Sequence, residues 1–534
     1  MDTLRQRLET KDLKIWVERT TDLLAESADL LNDLNTFPVP NFNTGSNLLA
    51  SWSGIARFSK GLSAGLKPGQ YTANLAGVAA KYPRGASGMF LAAFFGAMAK
   101  TWRDTAILRP ADLVMAAETI ETEFRALDGD AGLEYGLSSL ASAVNEELSK
   151  LELYTLSQVI GTALVGAQER TVDSADANRG VGDAGLAGAC LIIASLADVA
   201  AEAEGEAPAN VELVSAMLSE WADRSRTLTK ALRATPPGGE FAVTFRQVGF
   251  AADLKKQREA LSSTCSEVLL TGSVDEIGFG AFTTHVHTAV PLSALPHPPQ
   301  GVLLEHLSET GMTFPDSTEE DPLPERGNVV LLSRFTKKPS ASPRAHLLVL
   351  SEAPALMEMF ARGGATVLLE PGEAEQIDWA LGTRKGPVVV IPASEATRKL
   401  AEQFVESNLS ENPERSLVLA PTVDELSAVW LCEELTKVDL RSLPLVPDGG
   451  LEREIQRILS EIRVEKMSDH LESQLDGLLA FSGEETKELF AVIGATQANP
   501  DRMSLQSLVA LDPQIELITY YGGQTGPTLL GIHS

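Results

Sequence analysis

The stretch "LNTFPVPNFNTGSN" (34–47) runs a rigid Pro-Val-Pro turn into small polar residues, a glycine and then an apolar segment. Thr44, Gly45, Ser46 and Asn47 would offer backbone N–H and hydroxyl groups to a phosphate at a helix start. Asn41 and Asn43 stand just before them. A magnesium ion riding on phosphates typically takes one or two carboxylates; these amides can ligate it but bring no charge. A second stretch, "YPRGASGMF", puts Arg84, Gly85, Ala86, Ser87 and Gly88 ahead of another apolar run, where glycine lets the backbone approach a ligand closely. A third, "RGVGDAGLAGA" (179–189), again sets glycines at a helix start, with one carboxylate, Asp183. Each stretch has a plainer use as well: Thr44 or Ser46 can cap a helix, and small residues let helices pack closely. A different chemistry is offered by His285 and His287. On a strand, i and i+2 share a face, so both imidazoles could reach one zinc ion. Cys265 and His297 are the nearest further ligands in sequence, and surface or structural histidines are the alternative.

The elements that must position these residues fall into regions. Over 1–202 the apolar residues return at helical spacing, as in Ile15, Leu23, Leu24, Leu30 and Leu31. Residues 203–239 read as a helical bridge. From 240 to 312, "EFAVTFRQVGF", "SEVLLTGS" and "GAFTTHVHTAVPL" alternate as strands do, with the helical "DLKKQREALSS" between the first two. This predicts a small α/β middle domain. Residues 313–344 are Pro-, Ser- and charge-rich and read as a linker. Residues 345–534 repeat strand then helix with apolar strands, which predicts a C-terminal α/β domain with a mainly parallel sheet. In that domain "QIELITYYGGQ" reads as the last strand. The fold class is thus multidomain, all-α at the N-terminus and α/β thereafter.

The length of 534 residues suits several domains. With 44 basic against 73 acidic residues and a net charge of −29, the chain lacks the Lys/Arg stripe that a nucleic-acid backbone needs. Three widely spaced cysteines, Cys190, Cys265 and Cys432, argue against a disulfide framework and for a reducing compartment. The opening residues carry no apolar signal core. The apolar run 88–99 is too short to span a bilayer. A cytoplasmic chain with no membrane span is therefore expected.

Together the three small-residue stretches resemble a known family, the DhaL-type (dihydroxyacetone-kinase L, DAK2) domain of the ATP-binding subunit of bacterial fatty acid kinase. That family reads L-N-x-F-P-V-P-D-G-D-T-G-T-N; residues Leu34 to Asn47 follow it, with Asn41 and Asn43 in place of the two metal-binding aspartates. Its A-R-G-N-S-G is similar to Pro83 through Gly88, its G-V-V-D-A-G-G-x-G to Gly180 through Gly188, and its H-V-H-T to His285 through Thr288. The resemblance runs in order over nearly the whole chain. It departs at Arg109–Val114, where the family's Gly-Thr pair is replaced by Leu113 and Val114, and at two polar motifs near Leu369 and Ile391. The resemblance implies a helical barrel over 1–202 that holds ATP through Mg2+. Its site would be Thr44, Gly45, Ser46, Asn47, Arg84, Gly85, Ala86, Ser87, Gly88 and Asp183, with Asn41 and Asn43 at a weakened metal site. It also implies phosphoryl transfer to a fatty acid presented by an acyl-binding partner protein, and a homodimer through the later domains. The amides at 41 and 43 leave a second reading open: a catalytically impaired pseudokinase that acts by binding or regulating a partner. Zn2+ at His285 and His287 stays a candidate for the middle domain.

Overall fold

The computed structural model describes residues 7–35, 42–128, 136–152, 155–177, 180–229, 240–307, 345–384, 386–411, 415–437, 450–468, 470–481, 487–495, 498–509, 515–524 and 526–533. The chain divides into two compact units, Met1–Gly311 with Asp378–Thr383, and Met312–Ile377 with Arg384–Ser534. The linker read over 313–344 lies outside the described residues.

Among the described residues the first unit opens with nine helices: α1 (Thr10–Leu34), α2 (Thr44–Gly61), α3 (Pro68–Lys81), α4 (Gly85–Thr101), α5 (Pro110–Asp128), α6 (Leu137–Leu148), α7 (Leu156–Ala177), α8 (Ala184–Glu204) and α9 (Asn210–Thr229). Successive helices pack side by side, and α8 returns against α1, so α1 to α8 form a ring. Contacts along α1 fix α2 as antiparallel to it. Trp52 Nε1 donates to the carbonyl of Val17 at one end of the α1–α2 pair, and Asn32 Nδ2 donates to Ser46 Oγ at the other. Trp16, Trp52, Phe94 and Phe95 pack edge to face or tilted between α1, α2 and α4. Helix ends are finished by carboxylates. Asp198 accepts from the N–H groups of Ala209, Asn210 and Val211 at the start of α9. Glu204 does the same for Leu156 and Ser157 at the start of α7. These acceptors satisfy donors that a helix N-terminus otherwise leaves orphaned. Gly205 then ends α8 in the left-handed region at φ 81°, which glycine adopts without strain. Helix α8 is long and apolar enough to cross a membrane by length and composition, and 78% of its apolar window is buried inside the protein.

Four strands follow among the described residues of this unit: β1 (Phe241–Phe250), β2 (Glu267–Val274), β3 (Phe279–Thr288) and β4 (Val302–His306), with α10 (Ala251–Leu261) after β1. They run in the order β2-β3-β1-β4 with antiparallel pairing throughout. The three strands and the helix read from the sequence are present; β4 adds a fourth.

In the second unit β5 (His346–Ser351), α11 (Met357–Arg362), β6 (Thr366–Leu369), α12 (Glu375–Leu381, counted with the first unit from Asp378 on), β7 (Gly386–Pro392), α13 (Glu395–Glu411), β8 (Arg415–Leu419) and α14 (Glu425–Lys437) alternate. The strand order β6-β5-β7-β8 is wholly parallel. Then come α15 (Gly450–Ser460), β9 (Ile462–Lys466), α16 (Leu471–Leu479), β10 (Lys487–Ile493), α17 (Ala498–Val509), β11 (Ile515–Tyr521) and β12 (Leu529–His533). These strands form a second, mixed sheet in the order β11-β10-β12-β9, where β10 and β11 are parallel and the other pairs antiparallel. The expectation that residues near 515–521 form the last strand is corrected: β12 follows. Its five residues lie between β9 and β10, and all but His533 are buried.

Candidate functional site

The three small-residue stretches meet at one end of the helical ring. Ser51 Oγ of α2 accepts the Arg84 backbone N–H at 2.9 Å. Gly85, at φ 56°, leaves room for Asn47, whose Nδ2 lies 2.5 Å from where a Cβ would sit. Gly188 of the third stretch packs on Leu48, the residue after the first. Helix α6 starts at the same end, because Ser139 near its start meets Arg170 near the close of α7. Ser174, one turn on, accepts from the Asp183 N–H that opens α8. Helices α2, α4, α6 and α8 thus all point their N-termini the same way.

Each expected residue has a defined place, except Asn41, which lies outside the described residues. Asn43 is buried at the N-cap of α2, and Asn35 Oδ1 accepts the backbone N–H of both Asn43 and Thr44. Asn32 Oδ1 accepts the N–H of Ser46. A Cβ at Gly45 would come within 2.0 Å of the Ala28 carbonyl oxygen, so this glycine permits the α1–α2 contact. Gly88 similarly lies against Ser51 and Pro83. Arg84 is buried: its guanidinium forms an ion pair with Glu305 at 2.7 Å and donates to the carbonyls of Trp379 and Ala380. Its charge is therefore spent within the protein. Thr44, Ala86, Ser87 and Asp183 line a single cavity of about 540 Å3 inside the ring.

Asp183 caps α8, accepting the Leu186 N–H at 2.9 Å. Burial pushes its carboxyl up to about 6, against the downward pull of the Leu186 and Gly185 N–H groups. Such a shift marks a carboxylate held at an electrostatic cost, which functional sites commonly show.

His285 and His287 are buried on one face of β3, as their i, i+2 spacing requires. Register puts Thr244 of β1 opposite His285 and Glu267 of β2 opposite His287. Each cross-strand pair is hydrogen-bonded: His285 Nδ1 to Thr244 Oγ1 at 2.7 Å, His287 Nδ1 to Glu267 Oε2 at 3.0 Å. With both Nδ1 atoms engaged, the two Nε2 atoms face each other 3.3 Å apart. Two nitrogens on a tetrahedral zinc, at about 2.05 Å each, stand roughly 3.3 Å from one another. A second-shell carboxylate on Nδ1 is the usual support for a ligating imidazole. The residues present therefore fit a divalent ion. Glu267, His285 and His287 form a potential ligand group among the described residues; neither Cys265 nor His297 joins it. Burial pushes His285 down to about 4, with His287 and Arg84 adding to the effect. Burial acts upward on Glu267, but the adjacent His287 outweighs it and holds the carboxyl at about 2. Sequence reasoning missed Glu267; counting back across the β2–β3 turn from His287 would have found it. His287 and Glu267 also line the cavity.

In comparisons with known proteins, no family model matches the chain and no curated protein matches it.

Proposed function

We propose that this chain is a diverged DhaL-type kinase-like protein, in which a Mg-ATP site keeps its scaffold and has lost part of its charge. The observation that supports this reading is the meeting of the α2, α4 and α8 starts, each carried by one of the three motif stretches, at one end of one cavity. Helix N-termini present N–H groups to anions and carry about half a positive charge each. Phosphates would lie there, and Asp183 would supply the carboxylate for the metal. The other two acidic positions of the resembled motif are Asn41 and Asn43. At an effective dielectric of about 20, a unit charge pair at ~4 Å is worth ~4 kcal/mol, so two lost carboxylates weaken magnesium binding severely. Arg84, tied to Glu305, does not make up the charge. The protein then acts mainly by binding or regulating a partner. By resemblance that partner is an acyl-binding protein of the fatty acid kinase type. Full activity, with a fatty acid as phosphoryl acceptor, is the competing reading.

The test is thermal stability with and without millimolar Mg-ATP, since a ligand that binds the native state raises apparent stability by mass action. Wild type is expected to shift little, and the Asn41→Asp/Asn43→Asp variant to shift clearly. Equal behaviour of the two would remove the metal role assigned to these positions. Strong binding and turnover by wild type would establish the active kinase instead.

A second reading concerns the strands alone. The convergent Nε2 atoms of His285 and His287 favour a bound divalent ion such as zinc, with Glu267 and Thr244 orienting the rings.

A further inference from the structure

We infer that the second unit holds a site for a small aliphatic ammonium ion at the C-terminal end of its parallel sheet, formed by Glu352, Glu370, Ser394, Glu425 and Gln524. This goes beyond the nucleotide reading and does not depend on it, since all five residues belong to the second unit. In an open parallel sheet, ligands bind outside the carboxyl ends of the strands, at the point where successive connections leave in opposite directions. The order β6-β5-β7-β8 puts that point between β5 and β7. Glu352 follows β5 and Ser394 comes just after β7, and the Ser394 hydroxyl donates to Glu352 Oε1 across the gap at 2.8 Å. Glu370 follows β6. Its N–H donates to the Ser351 carbonyl at the end of β5, and its backbone is left-handed at φ 46°, which a residue other than glycine seldom adopts. Glu425, buried at the start of α14, accepts the Glu352 N–H at 2.7 Å and the Ser351 hydroxyl at 2.9 Å.

A second feature of the same corner calls for a hydrogen-bond donor. Gln524 is 6% exposed, and its Oε1 has no hydrogen-bond partner. Buried polar atoms are nearly always paired, so an orphan of this kind needs an explanation. Its Nε2 donates to the Pro527 carbonyl at 3.5 Å, which turns the oxygen the other way. That oxygen and the Val492 side chain flank the place where Gly522 would carry a Cβ, at 1.9 and 2.9 Å. Val492 shares its face of β10 with Phe490, and α14 packs on that face, with Trp430 against Phe490 and Leu426 against Gly531. The Gly522 carbonyl also accepts the Ala355 N–H, and Gly523 lies on Pro354, so this loop closes on the residues just after β5. The orphan oxygen is thereby aimed into the corner between the end of β5 and the start of α14, where Glu352 and Glu425 meet.

The charge of that corner selects the ligand. Helix N-termini commonly draw anions to such a crevice, and α13 and α14 both begin here. Three carboxyls stand in the way of an anion, and among the described residues none of them pairs with a lysine or arginine. Burial raises the Glu370 carboxyl and Glu352 raises it further. Burial pushes Glu425 up to about 8, with Glu352 and Asp424 adding to the effect. A cation relieves this crowding, because an opposite charge nearby favours the ionised carboxylate. A bare metal ion fits less well. Among the described residues, Glu267, His285 and His287 have ligand atoms close enough for one ion, and the carboxyls of this corner form no such group. An ammonium group carries three donors that point apart, so it can bridge oxygens that one metal ion cannot reach. Gln524 Oε1 and the second oxygen of Glu352 are open to receive them.

The test titrates the diamine putrescine into the whole chain by calorimetry, without nucleotide or magnesium, so its outcome and that of the Mg-ATP test are separate. Salt is held at about 0.15 M, where the general pull of an acidic surface is largely screened. The expected result is saturable one-to-one binding, with no heat from the matching diol. Gln524→Leu removes no charge, so an at least tenfold loss in that variant separates this site from attraction to the surface at large. Glu352→Gln, a near-isosteric change at a half-buried position, should weaken binding at least tenfold as well. If wild type does not bind putrescine, if the diol binds as tightly, or if Glu352→Gln or a folded Gln524→Leu binds as wild type does, the inference is overturned.

Discussion

Asp183 is the residue where folding and function pull apart. Its carboxyl is raised from 3.8 to about 6 by burial. A raised acid favours the native state only while protonated. Its contribution is fully present below the unfolded value and is lost as pH rises through 6. Two units correspond to about 3 kcal/mol. Asparagine caps helices as well as aspartate does, so Asp183→Asn keeps the bond to Leu186 and removes the burdened charge. We expect this variant to be more stable than wild type at pH 7.5 by about 2–3 kcal/mol, with the difference vanishing near pH 4. Denaturant unfolding at both pH values measures it; equal stability at pH 7.5 would show that the carboxylate is not strained. A residue whose charge costs that much suits a site that uses the charge. The sequence made Asp183 visible through its glycine-rich setting. It could not show the burial that raises it, nor that Arg84, which the resemblance puts in the nucleotide site, spends its charge on Glu305 more than two hundred residues away. Long-range ion pairs leave no local pattern.

At the scale of elements, what was legible followed periodicity. The helices of the first unit, the strands β1 to β3 and the alternating β5 to α14 all carry strong apolar rhythm over many residues. What escaped was short. Strands β4 and β12 have five residues each and are almost wholly buried, so no polar alternation marks them. The histidine pair shows the limit of spacing arguments. Spacing put both rings on one face, but the partners came from strand register. That register makes a prediction. Micromolar zinc is expected to raise the melting temperature of the metal-free chain, and a chelator to reverse it. His285→Gln or His287→Gln should abolish the effect. Glu267→Gln, which removes the support on Nδ1, should weaken affinity by about 10–100-fold. A zinc response unchanged in both histidine variants would place the ion elsewhere.

For the molecule as a whole, charge governs how stability answers to pH. The chain carries a net charge of −29, and self-repulsion of that size disfavours the compact state. Two buried carboxyls act in the same direction from different units. Beside Asp183 at about 6, Glu425 at the start of α14 is raised from 4.5 to about 8, by burial and then by Glu352 and Asp424 nearby, against hydrogen bonds from the Glu352 N–H and the Ser351 hydroxyl. Both groups hold their proton more tightly in the folded chain than in the unfolded one, so what they contribute is present at low pH and is lost as pH rises, through 6 for one and 8 for the other. Net repulsion grows over the same window. Melting temperature should therefore fall steadily from pH 5 to pH 8.5. Below about pH 6 both groups contribute to the slope, and above it Glu425 alone does. Glu425→Gln should flatten the upper half and lessen the slope of the lower; Asp183→Asn should lessen the lower half and leave the upper in place. Added salt should raise the whole curve by screening the surface charge and leave both slopes, since buried groups are screened much less. A melting temperature that climbs towards pH 8.5 would mean that both carboxyls are ionised without cost in the folded chain.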